Sequence, residues 1–168
     1  DNRKLLRYDA TYKIKNPGTR FDWESWGGLG GAVEMCNNNG ACRKLTGGVM
    51  CPSFRATRDE EHSTRGRANT LRLAMSGKFG EDALCDVGVQ DSLKYCLGCK
   101  ACGSECPTGV DMARMKIEVL AQKYLSERPA FHDQVIAYFP RYAPVVSRLW
   151  FLANQGKKIP GIGKMGEW

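Results

Sequence analysis

Between residues 96 and 107 the chain reads Cys-Leu-Gly-Cys-Lys-Ala-Cys-Gly-Ser-Glu-Cys-Pro, a C-x2-C-x2-C-x3-C-P run. Few short patterns constrain a chain so tightly. Thiols at i, i+3 and i+6 wrap a single iron–sulfur cubane corner by corner, and the fourth, turned aside by the proline, reaches a different cluster. A structural zinc ion asks instead for two separated cysteine pairs around one tetrahedron, and three cysteines at this spacing overcrowd it. Disulfides between such close neighbours would be strained and would need an oxidising compartment, for which the sequence offers no other sign. The run therefore reads as an iron–sulfur site.

A second cysteine group lies upstream: Cys36-Asn-Asn-Asn-Gly-Ala-Cys42, then Cys51-Pro52. Cys51-Pro52 mirrors Cys106-Pro107, which implies a crossed arrangement. Cys51 completes the set Cys96, Cys99 and Cys102, and Cys106 returns to join Cys36 and Cys42. The first set has the four thiolates of a [4Fe–4S] cubane. The second has three, because position 39, where a full motif would carry cysteine, is Asn39. A [3Fe–4S] cluster needs only three ligands and is the favoured reading. A [4Fe–4S] cluster whose last iron is held by Asn39, water or an added ligand is the alternative, although an amide is a hard, poor ligand for such iron. Cys85 fits neither set. It reads as a buried free thiol, with a role as eighth ligand as its second reading.

Composition agrees with a cluster-bearing module. Eight cysteines in 168 residues are many for an ordinary enzyme, and 19 glycines imply tight turns. No apolar run approaches the about 18 to 20 residues that span a bilayer, and Asp1-Asn-Arg-Lys4 does not open a signal peptide. The first residue is not Met, and the chain is expected to be a segment of something longer. A cytoplasmic location is expected, with peripheral contact at an inner membrane face as an option. The net charge of +7 would ordinarily suggest an anionic partner. Two clusters with their thiolates bring about −2 each, which leaves a modest excess of about +3. No recognition helix or aromatic-basic strand accompanies the charge, so nucleic acid is not expected.

The pattern along the chain is all-α with long loops. Residues 1–31 read as a Trp/Gly-rich connector from a preceding domain, with Trp23 and Trp26 pinning it onto the cysteine-bearing domain. Gly28-Leu-Gly30 lacks both a preceding strand and a complete GxGxxG, so it is no dinucleotide loop. Residues 32–126 read as that helical, cysteine-bearing domain, and 127–168 as a helical extension. Within the domain, Ser63 or Thr64 caps a helix that buries Ala68, Leu71 and Met75 and stops near Gly77. A second helix spans about 89–95. A third runs from Asp111 to about Ser126, its apolar stripe made of Met112, Met115, Val119, Ile117, Leu120 and Tyr124. Pro129, Pro140 and Pro144 punctuate two shorter helices near 131–139 and 145–155.

These residues resemble the α-helical ferredoxin segment of respiratory iron–sulfur proteins, in which C-x5-C followed by C-P marks a three-iron cluster. More narrowly, Cys36 to Cys42, Val49 to Arg58 (VMCPSFRATR), Thr64 to Asn69 (TRGRAN) and Cys106 to Ala113 (CPTGVDMA) resemble the ferredoxin segment of FAD-linked oxidoreductases of the D-lactate, glycolate and D-2-hydroxyglutarate dehydrogenase type. The resemblance covers roughly residues 20–155. It implies a one-electron relay from a flavin domain, carrying FAD, fused to or separate from this chain, to a quinone or another acceptor. The 2-hydroxy acid chemistry would then belong to the flavin domain, and no catalytic residue is expected here. The competing class is a structural or redox-sensing iron–sulfur interaction module.

The remaining charged residues carry two readings. Arg55, Arg58, Arg65, Arg67 and Arg72 form either a solvated face paired with Asp59, Glu60 and Glu61, or an electrostatic cradle for the clusters and for an acidic flavoprotein face. Amides near Gly40, Gly98 and Gly103 are expected to bond to the clusters. His62 and His132 read as structural residues. The basic, amphipathic stretch 141–152 is expected to pack against its own domain or a missing neighbour, with docking on a membrane surface as the second reading.

Overall fold

A computed structural model describes residues 12–80 and 83–148. Among them every regular element is helical, and no strand occurs. The helices are α1 (Leu29–Glu34), α2 (Pro52–Thr57), α3 (Thr64–Met75), α4 (Val87–Lys94), α5 (Ala101–Glu105), α6 (Met112–Ser126), α7 (Phe131–Ala137) and α8 (Phe139–Arg148), with short 3-10 turns at Glu24–Trp26, Ala41–Arg43, Glu60–His62 and Ala83–Cys85. Two compact units meet in sequence between Ser126 and Glu127.

In the first unit α3 is the central helix, packed against α1, α4, α6 and the turns before and after it. Its start is specified locally. The Ser63 hydroxyl accepts from Gly66 N–H at 2.9 Å, which satisfies one of the open donors of the first turn. Gly66 has no room for a side chain, since a Cβ there would overlap the Glu60 carbonyl. Asp86 caps α4 in the same way through Gly88 N–H at 2.7 Å, and Asp111 accepts from Arg114 N–H at the start of α6. Ala68, Leu71 and Met75 of α3 meet Leu29 and Val33 of α1, Val89 and Leu93 of α4, and Met112, Met115 and Val119 of α6 in one core. The α6 stripe is narrower than the periodicity suggests: Ile117 is exposed, and Leu120 and Tyr124 are half-buried.

The segment 14–31 packs on this core through Ile14, Phe21, Trp23 and Leu29. Lys15 N–H donates to the Met75 carbonyl, and Trp23 and Leu29 are buried. Trp23, not Trp26, is the pin. Trp26 is 39% exposed and meets the Trp23 ring edge, while the buried Trp23 donates its indole N–H to Glu118 at 2.9 Å. The Glu118 carboxylate, with no exposed surface, also accepts from the backbone N–H groups of Arg20 and Phe21. Burial alone would raise its carboxyl pKa, but these bonds and the Arg114 charge hold it below the usual carboxylate range.

The second unit, as far as it is described, is the pair α7–α8, closed by a bond from the Tyr142 hydroxyl to the Val135 carbonyl at 2.7 Å, with the Phe139 and Tyr142 rings in contact along α8. Pro144 does not break the chain as expected but lies inside α8, which begins at Phe139 rather than near 145. Pro140 is in the first turn, where a missing N–H costs little. The expected extension to 155 lies partly outside the described residues, as do residues 1–11 of the connector. No helix of the described residues is long and apolar enough to cross a membrane.

Candidate metal centre

Cys51, Cys96, Cys99 and Cys102 line one cavity with about 340 Å³ of empty space, together with Met50, Arg67 and Met112. Cys51 and Cys96 are separated by 44 residues in the chain, so only the tertiary fold brings this cysteine to the C-x2-C-x2-C loop. Nowhere among the described residues do three His, Cys, Asp or Glu side chains converge closely enough to hold a single metal ion. Thiolates on one zinc would stand only about 3.8 Å apart, whereas on a cluster each thiolate binds a different iron and they stand farther apart.

The cavity also holds an uncompensated cation. Arg67 is 1% exposed. Its guanidinium donates to the Ser92 carbonyl at 2.7 Å, to the Ser53 hydroxyl at 3.0 Å and to Cys51 Sγ at 3.6 Å. No carboxylate reaches it among the described residues. A buried, unpaired guanidinium is costly unless an anion meets it. Cysteine thiolates around a cluster are such an anion, so donor set and charge both fit an iron–sulfur group. Arg72 is buried too, donating to the Cys36 carbonyl at 2.9 Å. The solvated-face reading of the arginines therefore holds only for part of the set: Arg65 pairs with Glu60 at 2.6 Å, while Arg67 and Arg72 point inward.

The two cysteine loops are copies of one another, sixty residues apart. Cys36 and Cys96 each donate N–H to the carbonyl three residues earlier. The second and fourth residues after each adopt positive φ: Asn38 (63°) and Gly40 (77°) in one loop, Gly98 (63°) and Lys100 (59°) in the other. Arg43 and Gly103 then close equivalent turns onto Gly40 and Lys100. Asn39 thus stands on the backbone position of Cys99. Its amide oxygen accepts from Ala41 N–H at 2.8 Å and its amide nitrogen donates to Asn37, so the side chain is engaged in shaping its own loop.

The duplication extends to the helices. Arg65 N–H at the start of α3 donates to Cys42 Sγ at 3.3 Å. Met112 and Ala113 N–H at the start of α6 bond to Cys102. Helix N-termini favour negative charge, and both point at the last cysteine of a loop. These amides are the donors that reach Cys42 and Cys102. Burial still raises the Cys42 and Cys102 thiols above the ordinary range. The two Cys-Pro thiols go the other way. Burial opposes ionisation of both, but Ser53, the Phe54 amide and Arg67 lower Cys51, and Thr108 with the Val110, Thr108 and Gly109 amides lowers Cys106. In each the hydroxyl two residues on lies 3.3 Å from Sγ.

Other expected residues fall outside this arrangement. Cys85 is half-buried on its own 3-10 turn and does not line the four-cysteine cavity. The His62 ring bonds to Thr57 and abuts Tyr95, and its carbonyl accepts from Ser53. His132 is exposed beside Asp133. A residue that the spacing offered no reason to single out is Glu105, whose carboxylate receives Val49 and Met50 N–H at 2.8 and 3.0 Å. It ties the approach to Cys51 to the residue before Cys106.

Residues 32–110 match the family model of the 4Fe-4S dicluster domain. Among curated proteins the chain is similar to D-2-hydroxyglutarate dehydrogenase of Escherichia coli (27% identical, 82% of this chain, 17% of that protein) and of Pseudomonas putida (30% identical, 55% and 12%). It is also similar to a probable glycolate oxidase iron-sulfur subunit of Bacillus subtilis (35% identical, 39% and 14%). The chain spans less than a fifth of the length of each of these relatives. No solved structure matches it significantly. The family model and the Bacillus subtilis relative both carry iron–sulfur in their descriptions, and with the dehydrogenase relatives they support an electron-transfer role.

Proposed function

We propose that the chain is the electron-relay module of an FAD-linked 2-hydroxy-acid dehydrogenase, holding a [4Fe–4S] cluster on Cys51, Cys96, Cys99 and Cys102 and a [3Fe–4S] cluster on Cys36, Cys42 and Cys106. Bound clusters of these kinds take and release electrons singly, which couples a two-electron flavin to a one-electron acceptor such as a quinone. The observation that carries this reading is the single cavity lined by four cysteines from two distant segments, with a buried guanidinium at its wall. Names of relatives support the substrate class: D-2-hydroxyglutarate dehydrogenase and glycolate oxidase both act on 2-hydroxy acids.

Within this reading the protein's own residues have distinct tasks. The Cys-Pro thiols, already held toward the thiolate by hydroxyl and amide donors, bridge the two halves of the duplication. Arg67 offsets negative charge beside Cys51. The α3 and α6 N-termini direct amide N–H groups at Cys42 and Cys102, which disperses charge on sulfur and raises the ease of reduction. Asn39 stands in for the missing cysteine, leaving three thiols in the first set.

The test is anaerobic iron and sulfide analysis of the chain, followed by reduction with a partner flavodehydrogenase and D-2-hydroxyglutarate. About seven irons per chain, one four-iron and one three-iron cluster, with reduction dependent on hydroxy acid, is the predicted result. Iron that binds but cannot be reduced without loss of fold would point to a scaffold instead.

A further inference from the structure

The four-cysteine cavity is not sealed evenly. Cys51 and Cys102 are buried, Cys96 is half-buried and Cys99 is exposed. On this open side residues 94–100, apart from Cys96, all face solvent, and Leu97 is 74% and Tyr95 50% exposed. Around this apolar rim the charge is mostly positive. Lys94 and Lys100 flank the loop. An adjoining groove between α4 and α6, with about 640 Å³ of open space, is lined by Lys94, Lys116 and Lys123 against one acidic residue, Asp91. Lys116 joins groove and loop, donating to the Cys96 carbonyl at 2.7 Å.

Resting on the relay reading, we propose that the Tyr95–Lys100 loop and the neighbouring lysine groove form the docking face for a one-electron acceptor protein with an acidic surface. An exposed apolar centre ringed by charge mostly of one sign is the layout of a transient electrostatic interface, and the positive field would steer an acidic partner to the side where Cys99 meets solvent. The reduced cluster gives up one electron and is oxidised by one unit; the acceptor gains that electron and is reduced.

The test uses the loaded full chain, reduced with dithionite and oxidised in stopped-flow by two inorganic one-electron probes of opposite charge, the cobalt(III)–EDTA anion and the hexaamminecobalt(III) cation. The proposal predicts that oxidation by the anion slows as ionic strength rises, and that Lys94→Glu with Lys100→Glu slows it about fivefold while speeding the cation. Lys15→Glu serves as control: Lys15 contacts the C-terminal end of α3, about 16 Å of helix from the end that faces the clusters. Rates that ignore probe charge, or a Lys15→Glu effect as large as the double variant's, would overturn the docking face and leave the relay standing. That outcome would favour a neutral quinone as acceptor. Clusters that dithionite cannot reduce would overturn both readings, before any kinetics are run.

Discussion

The guanidinium of Arg67 lies 3.6 Å from Cys51 Sγ in a position where neither group meets water. The pair joins α3 to the start of α2, and it places a fixed positive charge on the wall of the four-cysteine cavity. A buried cation stabilises the more negative, reduced form of whatever is held there. Arg67→Gln is therefore predicted to make the four-iron centre harder to reduce, with Arg67→Lys intermediate because the fork to Ser53 and Ser92 is lost. A redox titration followed by visible absorbance measures it. An unchanged potential in Arg67→Gln would contradict the assigned role.

Asn39 and Cys99 occupy equivalent backbone positions in two loops of matching φ pattern. Asn39→Cys should therefore supply a fourth thiol to the first set and raise iron from about seven to about eight per chain. Cys99→Asn should do the reverse at the other loop. The loss of the Asn39–Ala41 hydrogen bond in the first variant costs about 1 kcal/mol, too little to unfold the loop. Iron analysis of both variants decides the matter.

A comparison of Cys51 with Cys85 tests the proposed ligand against the proposed bystander. Cys51→Ser is expected to lose the four-iron centre and with it much of the unit's thermal stability, since cluster binding supplies folding free energy. Cys85→Ser is expected to keep its full iron content. Equal iron loss in the two would mean that Cys85 is a ligand after all.

Glu118 predicts an acid-sensitive step. Its carboxyl is held below the usual range in the folded chain. Its stabilising contribution is thus fully present above the unfolded carboxylate value of about 4.3, and it is lost as pH falls from there through the lower folded value. Glu118→Gln should flatten melting temperature against pH in that acid window and destabilise the loaded protein near neutrality. Glu118→Ala, which strands the donors of Arg20, Phe21 and Trp23, should cost on the order of 3 kcal/mol. Paired melting curves of parent and variants from pH 3 to 7 test the sign.

The cysteine spacing and the helices it punctuates were readable from sequence because each rests on a local rule: thiol intervals, a Ser63 cap, an apolar face of Ala68, Leu71 and Met75. The convergence of Cys51 on the later loop was readable as well, through the repeated Cys-Pro. The features that stayed hidden depend on tertiary placement. Arg67 and Arg72 look like any helix-surface arginines until α1 and α4 close over them, and Glu118 looks like a solvated charge until the segment 20–23 folds back onto it. The sixty-residue duplication was half visible. Cys36 and Cys42 recur as Cys96 and Cys102 with Asn39 in the place of Cys99, but the matching positive φ values are carried by different residues, Asn38 and Gly40 in one loop and Gly98 and Lys100 in the other. Pro144 misled because the helix carries it in its interior despite the lost hydrogen bond and the clash with the carbonyl four residues back that usually end a helix there.

The central claim is one four-iron and one three-iron centre on seven cysteines, and electron paramagnetic resonance of the anaerobically prepared chain tests it most directly. The account predicts a paramagnetic oxidised state from the three-iron centre and, after reduction, a separate signal from the cubane on Cys51, Cys96, Cys99 and Cys102. A silent oxidised state with two reduced cubane signals would contradict it, by requiring a fourth ligand beside Cys36, Cys42 and Cys106.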